Sequence, residues 1–80
     1  MLNKQKLRKF LEGCKDLRSD EWWTLELNKL FILEVYKDED NLINLDIVER
    51  TYHDCVDTEY AEALDEETIK RIINWVGGKK

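Results

Sequence analysis

Proline is absent from this sequence, and glycine occurs only three times in its 80 residues. Irregular loops and turns depend heavily on these two residues, so the chain has little material for long loops. Its length also falls well below that at which chains divide into several hydrophobic cores. The sequence therefore predicts one compact domain over residues 1–80, without linkers, internal repeats or low-complexity segments.

Cysteine is also scarce, and Cys14 and Cys55 alone exclude a framework of several disulfides. No basic-then-apolar signal segment opens the chain, and no apolar run approaches the length of a membrane span. We therefore expect a cytoplasmic protein with two free thiols, because a reducing compartment keeps cysteines unpaired. A single Cys14–Cys55 bridge is the alternative that this count leaves open.

Basic charge is missing from the middle of the chain rather than from all of it. The first 18 residues contain six basic and two acidic residues, whereas Ser19 to Thr68 contain three basic and sixteen acidic residues, a balance of −13. Basic residues return after Thr68, and the whole chain carries a net charge of −5. Such a body repels nucleic-acid phosphates and anionic membranes, and it attracts basic proteins.

Two segments show the spacing of amphipathic helices, one at roughly Asn3 to Asp16 and one after Asp65. Each has a single apolar stripe at intervals of three and four residues. The stripes comprise Leu7, Phe10, Leu11, Cys14 and Leu17 in the first segment, and Ile69, Ile72, Ile73 and Val76 in the second. Asp65 is predicted to cap the second helix, and Gly77-Gly78 to end it.

Between these segments, apolar and polar residues alternate as they do in strands. Two strands are predicted from Trp22 and from Phe31, joined by a tight turn at Asn28-Lys29. The run from Leu42 to Tyr52 fits a strand better than a helix, because its branched side chains suit a pleated surface. A helix there is the alternative. Residues 53–64 are predicted to form a short fourth strand or a loop along the sheet edge.

These elements predict an α+β fold. It is a two-layer sandwich in which a three- to four-stranded antiparallel meander carries the N- and C-terminal helices on one face. The residues predicted to face the helices are Trp23, Leu25, Leu27, Phe31, Leu33, Val35, Ile43, Leu45 and Ile47. The opposite face is left open to water.

This open face is the predicted binding surface. It mixes aromatic and apolar side chains with carboxylates, and aromatic anchors flanked by charge are typical of protein interfaces. The predicted partner-binding residues are Trp22, Glu26, Glu34, Tyr36, Asp46 and Val48. The alternative is that Trp22 packs beneath the connection to the first helix and that Tyr36 merely covers the sheet.

No catalytic, metal-binding or cofactor signature is evident. His53, Cys55 and Asp57 would share one face of a strand and are zinc-competent residue types, but a fourth ligand is lacking. Direct pairing of Cys55 with His53 is awkward, because residues two apart on a strand lie about 6.6–6.8 Å apart. Glycine-rich phosphate loops and calcium loops are absent. We therefore predict a protein that is not an enzyme and that binds no cofactor or metal.

In size and charge the chain resembles small acidic inhibitors encoded by mobile elements or phages, such as anti-restriction and anti-CRISPR proteins. The resemblance is one of type and no motif carries it. It implies a protein-binding module, of the inhibitor or DNA-mimic kind, that docks its acidic face on a basic protein, with nucleic-acid-binding proteins among the candidates. Carboxylates at alternate strand positions would lie about 6.6–6.8 Å apart, twice the phosphate spacing along one DNA strand.

Two other functions compete with this expectation. The first is a structural homo-oligomer or subunit, for example a homodimer, that self-associates through the same open face. The second is direct nucleic-acid binding by the basic first helix, which the acidic body of the chain opposes.

Overall fold

The computed structural model describes residues 3–78 and confirms the α+β prediction. Four antiparallel strands form one sheet in the order β1-β2-β3-β4, flanked in sequence by two helices. The elements are α1 (Lys4–Gly13), a 3-10 turn (Cys14–Asp16), β1 (Trp22–Glu26), β2 (Phe31–Lys37), β3 (Ile43–Glu49), β4 (Cys55–Ala61) and α2 (Glu66–Gly77). No helix within residues 3–78 is long and apolar enough to cross a membrane.

Asp65 caps the second helix as predicted, and Asn3 caps the first. The side chain of Asn3 accepts a hydrogen bond from Lys6 N at 3.1 Å, and that of Asp65 accepts one from Thr68 N at 2.8 Å. Such caps satisfy amide groups that have no partner within the helix. The second helix ends at Gly77 as predicted, but Gly78 has a φ of −78°. The end is therefore not the left-handed glycine cap that this pair of residues suggests.

The region after Asn41 is a strand, so the preferred interpretation of Leu42 to Tyr52 is confirmed for Ile43–Glu49. Of the two options for the next region, the fourth strand is the one that forms. Between β3 and β4 the register shifts at Ile47 and Val48, which marks a β-bulge. The extra residue in β4 changes which of its side chains face the helices.

The first hairpin differs from the predicted two-residue turn. β1 ends at Glu26 and β2 begins at Phe31, so four residues connect them. The side chain of Asn28 accepts hydrogen bonds from Leu30 N and Phe31 N, at 2.8 and 2.9 Å. Asn28 therefore shapes the turn through its side-chain oxygen rather than through a left-handed backbone.

The hydrophobic core lies between the sheet and the two helices. Trp75 Nε1 donates to Asp57 Oδ2 on β4 at 3.0 Å, and Arg8 on α1 pairs with Glu66 on α2 at 2.9 Å. Of the nine sheet residues predicted to face the helices, five are buried, namely Leu33, Val35, Ile43, Leu45 and Ile47. The other four, Trp23, Leu25, Leu27 and Phe31, are partly buried and pack against the same cluster.

Candidate protein-binding face

The side chains that point away from the helices form the open face of the sheet. Because residues alternate between the two faces of a strand, the strand register sorts them into rows across the sheet. The three rows are Trp22–Tyr36–Asn44–Tyr60, Thr24–Glu34–Asp46–Thr58 and Glu26–Ile32–Val48–Cys55. All six predicted partner-binding residues lie on this face.

The first row carries an aromatic cluster. The rings of Trp22 and Tyr36 stack with their centroids 4.1 Å apart and their planes 12° from parallel. Trp22 is 58% exposed, and Tyr60 at the other end of the row is 54% exposed. Trp22 therefore lies against a strand neighbour and remains in contact with solvent, which excludes the alternative that it packs beneath the helix connection.

Asp46 lies at the centre of a hydrogen-bonded group in the second row. Thr58 Oγ1 donates to Asp46 Oδ1 at 2.9 Å, and the Sγ of Cys55 lies 3.2 Å from the same hydroxyl. Burial raises the pKa of Tyr36 above its ordinary value, and the charge of Asp46 and a hydrogen bond to it raise that pKa further. The raised pKa favours the protonated phenol, which is the form that can donate a hydrogen bond to a carboxylate.

Glu34, the direct neighbour of Asp46 across the sheet, is only 8% exposed. The Nε2 of His53 lies 3.3 Å from Glu34 Oε2. His53 follows β3 in the turn that leads to β4, so this turn folds back over the open face. Two carboxylates directly opposite each other repel, and the imidazole of His53 lies against one of them.

The β3–β4 turn is held in this position by its own backbone contacts. Glu49 accepts hydrogen bonds from Thr51 N and Tyr52 N, and these bonds lower the pKa of its carboxyl group. His53 has a φ of 58°, in the left-handed region that non-glycine residues rarely occupy. The same turn brings Arg50 to Glu26, with Nη1 and Oε1 3.2 Å apart.

The predicted alignment of His53, Cys55 and Asp57 on one face is wrong. His53 precedes the strand, and the bulge places Cys55 opposite Val48 and Asp57 opposite Ile47. Cys55 thus lies on the open face, while Asp57 accepts a hydrogen bond from Trp75 on the helix side. Within residues 3–78 there is no group of three or more His, Cys, Asp or Glu side chains placed to hold a metal ion.

Both thiols are free, and they lie on opposite sides of the sheet. Cys14 is buried beneath the helices, and burial raises the pKa of its thiol to about 12. Cys55 is exposed. The alternative of a Cys14–Cys55 bridge is therefore not realised.

The six predicted residues differ in accessibility. Trp22 and Glu26 are exposed on the edge strand, and Tyr36 and Asp46 are partly exposed, whereas Glu34 and Val48 are buried. The prediction missed the contributions of His53, Thr58 and Tyr60 to this face. Thr58 and Tyr60 alternate like the residues of a strand, but nothing in the pattern shows that His53 folds back over the sheet.

The acidic character of the open face is smaller than the charge of the chain suggests. Of its three carboxylates, Glu26 pairs with Arg50, and Glu34 is largely buried beside His53 of the β3–β4 turn. The three carboxylates also lie on three different strands. The expected repeat of carboxylates at alternate positions of one strand, with its DNA-like spacing, is therefore not found on this face.

Comparisons of the chain with protein-family models, with curated proteins and with solved structures give no match. The function is therefore inferred from the chemistry and geometry of the open face.

Proposed function

We propose that this chain is a small protein-binding module whose open face docks on a basic partner protein and acts as an inhibitor of it. The observation that carries the proposal is the Trp22–Tyr36 stack beside Asp46, on a sheet face that neither helix covers. Exposed aromatic side chains beside partly buried charge are the usual composition of interface hot spots.

The aromatic row supplies the apolar part of the contact. Trp22 and Tyr60 stand at the two ends of one row and are both more than half exposed. Stacking on Tyr36 limits the freedom of the Trp22 ring before any partner arrives. A side chain that is already ordered loses less conformational entropy on binding, which favours affinity.

The charge of the chain supplies the preference for a basic partner. A net charge of −5 attracts basic proteins over distances longer than a direct contact, and it speeds their association at low salt. At the face itself, Asp46 accepts a hydrogen bond from the neutral hydroxyl of Thr58, and no cation within residues 3–78 forms an ion pair with it. Its negative charge is therefore available to a lysine or arginine of the partner.

An inhibitory role follows if the partner uses its basic surface to hold nucleic acid. An acidic module bound there would occupy the same surface and exclude the phosphate backbone, which supplies much of the affinity for nucleic acid. The composition of the face supports this role, whereas the spacing of its carboxylates does not reproduce that of phosphates. The reduced thiols are compatible with a cytoplasmic setting.

The test uses variants with matched charge. Partners captured from the native host on the immobilised protein are eluted by raising the salt, and each captured protein is then titrated with the wild type, W22A, D46N and E67Q. D46N and E67Q remove one negative charge each, but only Asp46 lies on the open face. We expect W22A to raise Kd about 30-fold, since an anchoring tryptophan contributes 2 kcal/mol or more.

D46N should raise Kd about two- to fivefold, as expected for a partly exposed ion pair, and E67Q should leave it almost unchanged. A captured DNA-binding protein should also lose its DNA as the wild-type module is added. Equal effects of D46N and E67Q, together with no effect of W22A, would place the contact elsewhere and refute the role of the open face.

A further inference from the structure

The outer edge of β1 offers unpaired backbone groups. In an antiparallel ladder, hydrogen-bonded pairs alternate with pairs whose backbone groups point away from each other. Leu27 N donates to Phe31 O at 3.0 Å, so residues 27, 25 and 23 direct their backbone groups toward β2. The N–H and C=O groups of Trp22, Thr24 and Glu26 therefore point outward.

The neighbouring pair of strands confirms this alternation. Arg50 N donates to Leu30 O at 2.8 Å, which directs the even-numbered residues of β2 toward β3 and leaves the odd-numbered ones for β1. Within residues 3–78, no hydrogen bond from another residue reaches the outward groups of β1. All three of its outward residues are also exposed.

The other edge of the sheet is partly capped by side chains. On β4 the outward residues are Thr58 and Tyr60, because residues 57, 59 and 61 pair with β3. Thr58 N donates to the side chain of Asp57 at 2.9 Å, and Tyr60 O accepts from Arg71 Nη2 at 3.1 Å. Side chains that cap an edge in this way block the addition of another strand. The two edges of the sheet are therefore not equivalent.

We propose that two copies of this chain pair through their β1 strands, with a two-fold axis at Thr24. In that register Thr24 faces Thr24 of the second copy, and Trp22 faces Glu26. All three outward residues of each copy then exchange backbone hydrogen bonds. Shorter overlaps lose one of these pairs, so the self-complementary register is also the one with the most hydrogen bonds.

Side chains support a second copy as the occupant of this edge. The register keeps Glu26 of one copy opposite Trp22 of the other, so no like charges face each other across the strand pair. On the helix side it sets Trp23 against Leu25, which are only partly buried in one copy. A self-paired β4 centred on Thr58 would instead oppose Asp57 and Glu59, two carboxylates.

The dimer would have an eight-stranded sheet with both open faces on the same side. It differs from self-association through the open face, because that face stays accessible to a partner. The contact is a five-residue strand edge, and standard interfaces bury about 1,600 Å². The two copies also each carry a net charge of −5. We therefore expect a weak dimer, formed at protein concentrations of about 100 µM and strengthened as salt screens the repulsion.

Sedimentation equilibrium of wild type, T24P and T24V tests this pairing. Proline removes the outward N–H of Thr24 but no hydrogen bond to β2, and edge strands tolerate proline at such positions. Valine keeps the N–H and the side-chain shape. Wild type and T24V should dimerise alike, and T24P should raise the dimerisation Kd at least about tenfold while far-UV circular dichroism stays unchanged.

Amide hydrogen exchange of the wild type gives a second measurement that needs no variant. Protection of the Trp22, Thr24 and Glu26 amides should increase with protein concentration, while that of the Tyr60 amide should not. A wild type that is monomeric at millimolar concentration, or equal dimerisation of T24P, would overturn the proposal. A monomeric wild type whose T24P variant loses a basic partner would instead assign the edge to a partner strand. If a basic partner binds the wild type and T24P equally but binds W22A weakly, the proposed function holds and the dimer is not needed for it.

Discussion

Along β3, Leu45 and Ile47 face the helices, whereas Asp46 and Val48 face the open side of the sheet. Both Ile47 and Val48 are almost inaccessible, at 0% and 2% exposure. Ile47 belongs to the cluster that the helices cover, but Val48 does not. One strand is therefore shielded on both sides, although only one side has a helical layer.

The two sides reach this state through different interactions. The helix side is closed by apolar stripes that lie on an apolar sheet surface. The open side is covered only in part, by polar contacts from the β3–β4 turn. In these contacts His53 lies on Glu34, and Arg50 lies on Glu26. Within residues 3–78, no buried side-chain nitrogen or oxygen lacks a hydrogen-bond partner. Apolar burial contributes most to stability, whereas ion pairs with an exposed member contribute little. The helix side should therefore determine stability, and the open side should be free to change on binding.

The reactivity of the two thiols gives the largest expected contrast between the two sides. Cys55 is exposed on the open side, and Cys14 is buried beneath the helices. An alkylating reagent should modify Cys55 directly and Cys14 only after opening of the core, so Cys14 should react at least about 1,000-fold more slowly. Mass spectrometry of timed samples measures both rates, with C55A and C14A assigning the two phases.

Comparable rates for the two thiols would contradict a closed helix layer. Labelling in urea is the internal control, because both thiols should react at similar rates once the chain is unfolded.

Truncation of neighbouring residues on β3 compares the two sides within one strand. I47A should lower the free energy of unfolding by about 2–5 kcal/mol, because the helices and sheet leave a cavity there. V48A should lower it by about 1–2 kcal/mol, since fewer methyl groups are lost from a site that side chains and solvent can fill. Urea denaturation measures both, and equal losses would show that the open side is packed like a core.

The sequence predicts the helix side well because simple periodicity determines it. Two helical stripes and alternating strands predict which residues meet, and burial of Leu33, Leu45 and Ile69 follows from that pattern alone. The sequence does not decide between a fourth strand and an edge loop, and the reason is physical. Its residues between Cys55 and Ala61 include several polar groups that find partners only in the folded chain, such as Asp57 with Trp75.

The sequence predicts which residues lie on the open face, but it does not predict how exposed each of them is. Alternation places Glu34 and Val48 on it correctly, yet their burial depends on contacts that no local pattern encodes. The β3–β4 turn needs His53 in a left-handed conformation, and the bulge near Val48 moves Asp57 to the helix side. Both features depend on the contacts that the turn makes with Glu49 and Glu34 in the folded chain. The conformational preferences of single residues do not predict them.

The burial of Cys14 should also make the stability of the protein depend on alkaline pH. An unfolded cysteine ionises near its ordinary pKa of 9.0, whereas Cys14 in the folded protein keeps its proton until about pH 12. The unfolded state therefore loses this proton first, and stability falls as pH rises between these values. Urea denaturation of wild type and C14A from pH 8 to about 10.5 should show a steeper decline for the wild type. Parallel curves for wild type and C14A would contradict this assignment.

The smallest expected effect concerns the turn that covers the open side. H53A removes the contact with Glu34 and should lower the free energy of unfolding by about 0.2–1 kcal/mol. This is the range found for charged pairs with an exposed member. H53G removes the same contact but relieves the left-handed backbone at this position, and its φ of 58° suits glycine. H53G should therefore be more stable than H53A by about 0.5–1 kcal/mol, after allowance for the greater freedom of glycine in the unfolded chain.

Amide exchange separates the contact that His53 makes with Glu34 from its backbone conformation. Both variants should increase amide exchange around Glu34, because both uncover it, although only H53G relieves the left-handed backbone that H53A shares with the wild type. If neither variant changes that exchange, the turn does not cover Glu34. The contrast between a side covered by helices and a side covered by a turn would then be wrong.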